Sequence, residues 1–328
     1  MSTFFRVLTI ISMVVGLFGF LFMFFTALIM SPGLGLLSVV LTAVYFVIAI
    51  FLLSRLPFWP QKRDGESRMW IYAALLWGGG VAIVLTLPIG GPVMEIFAYL
   101  ESRSSVYSWG GAYPEEIVKA LGVLVICLAF TQLSRPWHGF IVGGVIGLGF
   151  EVLENVLYGA SGAQMHQDSD WAGFWETWGL RVLAGPGLHL VCTAIAGWGI
   201  GWVLFAGNKS RMWRLGTALL WWFVAFAIHF AWNYDLVDNT PMVIKIITVM
   251  AIMYYIFARI CIRSIKLYRA DLGQSYTPAA LHKEHAAGVA SRSVGRGLVI
   301  AGETPRPNQE GHRLRLRRPQ ERPQLQSE

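Results

Sequence analysis

From residue 5 to residue 262 the chain returns repeatedly to unbroken apolar stretches, each close to the ~20 residues a helix needs to cross the hydrocarbon core of a bilayer. That recurrence constrains the fold more than any other feature. The stretches fall at about 5 to 29, 34 to 54, 70 to 90, 114 to 134, 138 to 159, 178 to 205, 213 to 235 and 242 to 262. They predict an all-α, polytopic transmembrane helix bundle of about eight helices. Only 14% of the 328 residues are charged, well below the share in an ordinary soluble domain. The first stretch, Phe4 to Met30, is too long and too weakly charged at its start for a signal peptide, and no small-residue cleavage site follows it, so it reads as a retained helix. From Ser264 the sequence turns polar and rich in Arg, Pro, Gln and Ser. The expected division is therefore a bundle over 1–263 and a disordered cytoplasmic tail over 264–328.

Loop charges set the expected orientation. Arg55, Lys62, Arg63 and Arg68 follow the second stretch, Arg135 the fourth, Lys209, Arg211 and Arg214 the sixth, and the basic tail the eighth. The intervening loops carry Glu95, Glu101, Asp168, Asp170, Asp235 and Asp238 against Arg103. The positive-inside rule then puts both termini in the cytoplasm. The same loops and tail account for the net charge of +7, so no nucleic-acid partner is expected. The tail arginines Arg313, Arg315, Arg317 and Arg318 suit anionic lipid headgroups, and a solvated tail without a ligand explains them equally. Cys127, Cys192 and Cys261 all lie inside apolar stretches, which leaves neither a disulfide framework nor a thiolate metal site.

Ionisable side chains inside a bilayer cost several kcal/mol each unless paired or hydrated. The fourth stretch opens Pro114-Glu115-Glu116, with Lys119 three and four residues on. Lys119 is placed to pair with either glutamate and leave the other free. The fifth sets Gly139, Gly143, Gly147, Glu151 and Asn155 at four-residue spacing, a stripe for close helix approach that ends in an acid and an amide, with Glu154 beside it. The sixth repeats the pattern with Gly185, His189, Thr193, Gly197 and Gly201, and the seventh places His229 and Asn233 one turn apart. In the deduced orientation Glu115, Glu116, Glu151, Glu154, His229 and Asn233 share the outer half of the membrane, with His189 somewhat deeper. Each group alone has a bland reading: an interfacial salt bridge, an interhelical hydrogen bond, close packing. Their coincidence at one level points to a site.

Four ordered segments, Glu115-Glu116 with Lys119, Phe150-Glu151 with Glu154-Asn155, His189, and His229 with Asn233, resemble the PrsW family of intramembrane proteases. That family sits within the larger group that includes the CAAX prenyl endopeptidases and bacteriocin-immunity-type membrane proteins. The resemblance covers residues 110 to 236 or so. It implies cleavage of a membrane-anchored protein near the outer bilayer surface, such as the extracytoplasmic part of an anti-sigma factor, in a bacterial plasma membrane. Asn233 departs from the pattern, since some relatives look to carry an acid there.

Peptide hydrolysis needs an activated water, a group for the oxyanion and a proton donor for the leaving amine. Two versions stand open. In one, Glu115 or Glu116 is the general base, moderated by Lys119, while His189, His229 and Asn233 hold water and oxyanion. In the other, His189, His229 and a carboxylate from Glu151 or Glu116 bind a divalent metal, with zinc the most plausible ion. No His-Glu-x-x-His helix is present, so metal ligands would have to come from separate helices. The competing classes are a proton- or cation-coupled transporter, which needs a path from both sides, and a catalytically silent scaffold. The acidic, Trp-rich loop Gln164 to Glu176 reads either as a cover over the cavity entrance or as headgroup anchors, with Trp178 just beyond it.

Overall fold

The computed structural model describes residues 3–61, 68–236 and 238–271. In hydrocarbon every backbone N–H and C=O must find a partner inside the protein, so the apolar stretches close their hydrogen bonds within themselves as helices. These are α1 (Thr3–Met30), α2 (Pro32–Ser54), α3 (Met69–Leu76), α4 (Ile83–Tyr99), α5 (Tyr113–Ala129), α6 (Pro136–Met165), α7 (Asp170–Phe174), α8 (Leu188–Phe205), α9 (Arg211–Asn233) and α10 (Asn239–Ala270). No strand occurs among the described residues. A π-helical turn, Trp77–Ala82, joins α3 to α4 into one rod, Met69–Tyr99. With that rod counted once, seven helices among the described residues are long and apolar enough to cross a membrane. The 17-residue α5 is the shorter eighth of the expected set.

The two helices that carry the glycine stripes form the centre. α6 and α8 are buried along most of their length, whereas α1, α2, α9 and α10 turn most of their surface outward. Phe18, Phe22 and Phe25 of α1 and Leu36, Val40 and Val47 of α2 are among the exposed apolar side chains, as suits a lipid-facing ring. Lipid offers no hydrophobic drive for helix association, so close backbone packing has to supply it. A Cβ on Gly139, Gly143 or Gly147 would run into the backbone carbonyls of Gly197, Thr193 and His189 on α8. The two stripes are thus one interface.

Several boundaries differ from expectation. The third span does not stop near residue 90 at Gly90-Gly91-Pro92 but runs to Tyr99, because Pro88 and Pro92 are accommodated inside α4. α6 continues to Met165 and α5 ends at Ala129. The sixth span, expected to be continuous over 178 to 205, is broken: a π-helical segment, Trp175–Ala184, ends at Gly185-Pro186-Gly187, and α8 starts afresh at Leu188. Gly187 has a φ of 78°, a conformation that L side chains rarely adopt and glycine takes freely. α10 runs to Ala270, past the expected end of the bundle at 263. Nearly all of the expected tail, 272–328, lies outside the described residues. In the loop after α6, Trp171 and Trp175 are exposed, while Trp178 is buried and donates Nε1–H to Thr42 Oγ1 of α2 at 3.0 Å.

Candidate active site

The first turn of α5 supplies the carboxylates. A π-helical turn, Ser108–Ala112, leads directly into α5, and Pro114 fits near its start, where a missing N–H is tolerated. Three and four residues later Lys119 folds back over both glutamates. Its Nζ lies 2.6 Å from Glu116 Oε1 and 3.4 Å from Glu115 Oε2. It also stands 3.0 Å from His189 Nδ1 and 4.5 Å above the Phe150 ring. Lys119 and Glu116 are fully buried, and the Glu115 side chain is 12% exposed. Glu116 is therefore the tight partner of the lysine, and Glu115 is the more accessible of the two glutamates.

The partners of each imidazole fix its proton. His229 Nδ1 lies 3.0 Å from Glu116 Oε1. A carboxylate only accepts, so in the neutral ring Nδ1 carries the hydrogen. Nε2 is then bare and receives the Asn233 amide at 3.3 Å. His189 is arranged the same way on its other nitrogen. Its Nε2 is 2.6 Å from Glu154 Oε2, so Nε2 carries the hydrogen and Nδ1 is bare. Arg181 Nη2 also comes within 3.2 Å of that Nε2, but two N–H groups cannot serve one another, and both converge on Glu154. The two bare nitrogens meet at Glu115: its Oε2 lies 3.7 Å from His189 Nδ1 and 3.9 Å from His229 Nε2. The ligand atoms of Glu115, His189 and His229 all fall within 4.8 Å of one another.

Around that trio lies a second ring of polar groups. Arg181, on the π-helical segment, donates to Glu154 Oε2 at 2.5 Å and to Asn155 Oδ1 at 3.1 Å, with its guanidinium 4.3 Å from the Tyr158 ring. Asn233 also donates to the Tyr107 carbonyl at 3.3 Å. Gly111 packs beside the trio, where an added Cβ would come within 3.0 Å of Asn233 Nδ2 and 3.3 Å of Glu115 Oε1. Glu116 Oε2 and Asn155 Nδ2 are buried without a hydrogen-bond partner among the described residues.

The structure thus brings Glu115, Glu116, Lys119, Glu154, His189, His229 and Asn233 together from four helices, with Asn155 at the edge through Arg181. Glu151, expected as a metal ligand, stands apart. Its Oε1 accepts from Tyr45 Oη at 2.7 Å and from Gly187 N at 2.8 Å, and its Oε2 accepts from Leu190 N at 3.2 Å. Its work is to satisfy the open start of α8 and so to orient His189. Tyr254 ties the same break from α10 by donating to the Pro186 carbonyl at 2.5 Å. His189 accordingly contacts both Glu154 and Lys119 directly. Arg181 and Tyr45 escaped the reading of the sequence. Arg181 had left a signal, since a guanidinium within an apolar stretch is as costly as any glutamate there. Tyr45 left none.

A family model described as PrsW family intramembrane metalloprotease matches residues 66–260. No curated protein and no solved structure matches the chain.

Proposed function

The chain belongs to the PrsW family of intramembrane metalloproteases, and from that premise we propose that it hydrolyses a membrane-anchored protein at the Glu115, His189 and His229 trio. The observation that carries the proposal is the convergence of two bare imidazole nitrogens on one carboxylate, with each imidazole held from behind by its own acid, Glu116 behind His229 and Glu154 behind His189. Carboxylate–imidazole pairs of this kind set the tautomer and raise the basicity of the inward nitrogen. A structural network would not need both rings turned toward the same point.

The donor set suits a divalent ion. One carboxylate oxygen and two neutral imidazoles make the three-ligand set of many catalytic zinc sites, and Glu116 and Glu154 supply the supporting carboxylates. Glu115 Oε2, His189 Nδ1 and His229 Nε2 would hold the ion, which would polarise a scissile carbonyl and activate a water. The chain's own groups divide the remaining work. Glu115, the more accessible of the two glutamates, can hold the attacking water or take its proton. Asn233 offers an amide N–H beside the trio for the oxyanion. Glu116 and Glu154 keep the imidazole protons on the outward nitrogens. The alternation of loop charges supports a site toward the outer face of the membrane, and the family supports a membrane-anchored substrate, for which we propose an extracytoplasmic segment such as that of an anti-sigma factor in a bacterial plasma membrane.

The test is cleavage of tagged single-pass membrane proteins in cells expressing wild type, Glu115→Gln or His229→Ala at equal membrane levels. Fragments that vanish in both variants support the hydrolase. Fragments unchanged in both remove the trio from catalysis, and flux of a solute through proteoliposomes would then favour the transporter.

A further inference from the structure

Lys119 places a cation inside the trio itself. Its ammonium lies 3.0 Å from His189 Nδ1 and 3.4 Å from Glu115 Oε2, two of the three atoms proposed above to hold a metal. We propose that the Lys119 ammonium is the resident cation of the resting site, and that a divalent ion engages the full trio only by displacing it. The inference rests on the reading of Glu115, His189 and His229 as the metal-holding set.

The limiting atom is His189 Nδ1. A bare imidazole nitrogen has one lone pair, and it serves either the ammonium N–H or a metal. Its ring cannot turn the other nitrogen inward without giving up Glu154 at 2.6 Å and crowding Arg181. Charge acts in the same direction. Glu154 is paired with Arg181 and Glu116 with Lys119, so Glu115 alone in the cluster has no dedicated cation. An ion entering beside the ammonium would meet one unmatched carboxylate and a like charge. With the ammonium withdrawn onto Glu116 it would meet the Glu115 carboxylate, the freed His189 Nδ1 and, once the Asn233 amide turns away, His229 Nε2.

The displaced ammonium also has an unused acceptor to turn to. The lysine stem is flexible, and Glu116 Oε2 is fully buried with no partner among the described residues. Lys119 can give up His189 and Glu115 while keeping its ion pair by moving onto that second oxygen. The orphaned oxygen, unexplained by the rest of the site, is accounted for as the lysine's second seat.

The experiment is a Co²⁺ titration of the full-length protein in detergent after chelator treatment, at one pH, with the visible absorption of the bound ion reporting nitrogen and oxygen ligands. Wild type is compared with Lys119→Met and with Lys119→Gln, which retains a donor for Glu116 should the methionine variant not accumulate. Both variants are expected to bind one Co²⁺ per chain about tenfold or more tightly than wild type, within the range by which supporting residues alter metal affinity. Adding His189→Ala is expected to abolish the gain. Equal, tight binding by wild type and both variants overturns the competition and leaves the trio standing as a metal site. Absence of binding in every form overturns it through the ligand set itself, while the cleavage comparison separately decides the hydrolase.

Discussion

Glu115 and Glu116 are adjacent in the chain and have different environments. Glu116 is enclosed between Lys119 and His229, while Glu115 meets two bare nitrogens. Replacing Glu115 with Gln is expected to lower cleavage by about a hundredfold to ten-thousandfold, the usual worth of a positioned acid–base group, with little change in thermal stability in detergent. Arg181 should behave differently. It pairs with Glu154 where both side chains keep about a seventh of their exposure, 15% and 14%, so removing it should cost less than the ~3–5 kcal/mol of a fully buried pair. Arg181→Met is therefore expected to lower both the unfolding temperature and cleavage. Arg181→Lys should restore charge without the fork that reaches Glu154 and Asn155 together, recovering stability more than activity. Parallel losses for Met and Lys in unfolding scans would contradict this. The presence of acids and histidines at these positions was legible in the sequence. Which glutamate is enclosed was not, because Lys119 stands within reach of both along one helix face and only the approach of α9 with His229 distinguishes them.

At the scale of helices, the glycine stripes and the break before α8 carry the argument. A methyl group at Gly143 would press into the Thr193 carbonyl, whereas one at Gly216 on α9 meets nothing within 4 Å. Gly143→Ala is expected to destabilise by about 1–3 kcal/mol through overpacking. Gly216→Ala should be neutral or slightly stabilising, since alanine is the better helix former by about 1 kcal/mol. Unfolding curves of the two variants side by side check the contrast. Gly187→Ala forces a Cβ into a left-handed turn at a cost of about 1–2 kcal/mol and disturbs the N–H that Glu151 holds. Its expected signature is loss of cleavage out of proportion to loss of stability, because His189 follows two residues later. The stripe was readable because four-residue spacing lies on one face of any helix. The break left a signal of its own in Gly185-Pro186-Gly187, but length and hydropathy over the 28 residues from 178 to 205 favour one continuous span.

Across the whole molecule, alternation of basic and acidic loops predicts which surface of the membrane each loop meets. A cysteine at Asn208, an exposed position between α8 and α9, should react with an impermeant maleimide only from the cytoplasmic side, and one at Asp170 only from the outer side. Reversal of the two would invert the orientation and move the site to the inner half of the bilayer. Length and polarity of each stretch, taken alone, determined that this chain is a helical bundle with costly groups in four of its helices, because the bilayer penalises anything else. The tertiary structure alone decided how those groups are shared out: Glu151 to the start of α8, Glu154 to His189 and Arg181, Glu116 to His229 and Lys119, and Glu115 to the two bare imidazole nitrogens. Spacing fixes the face a residue occupies on its own helix, but the rotation and depth of one helix against another come from backbones packing at the glycines, and that is a property of pairs of helices which no single stretch of sequence contains.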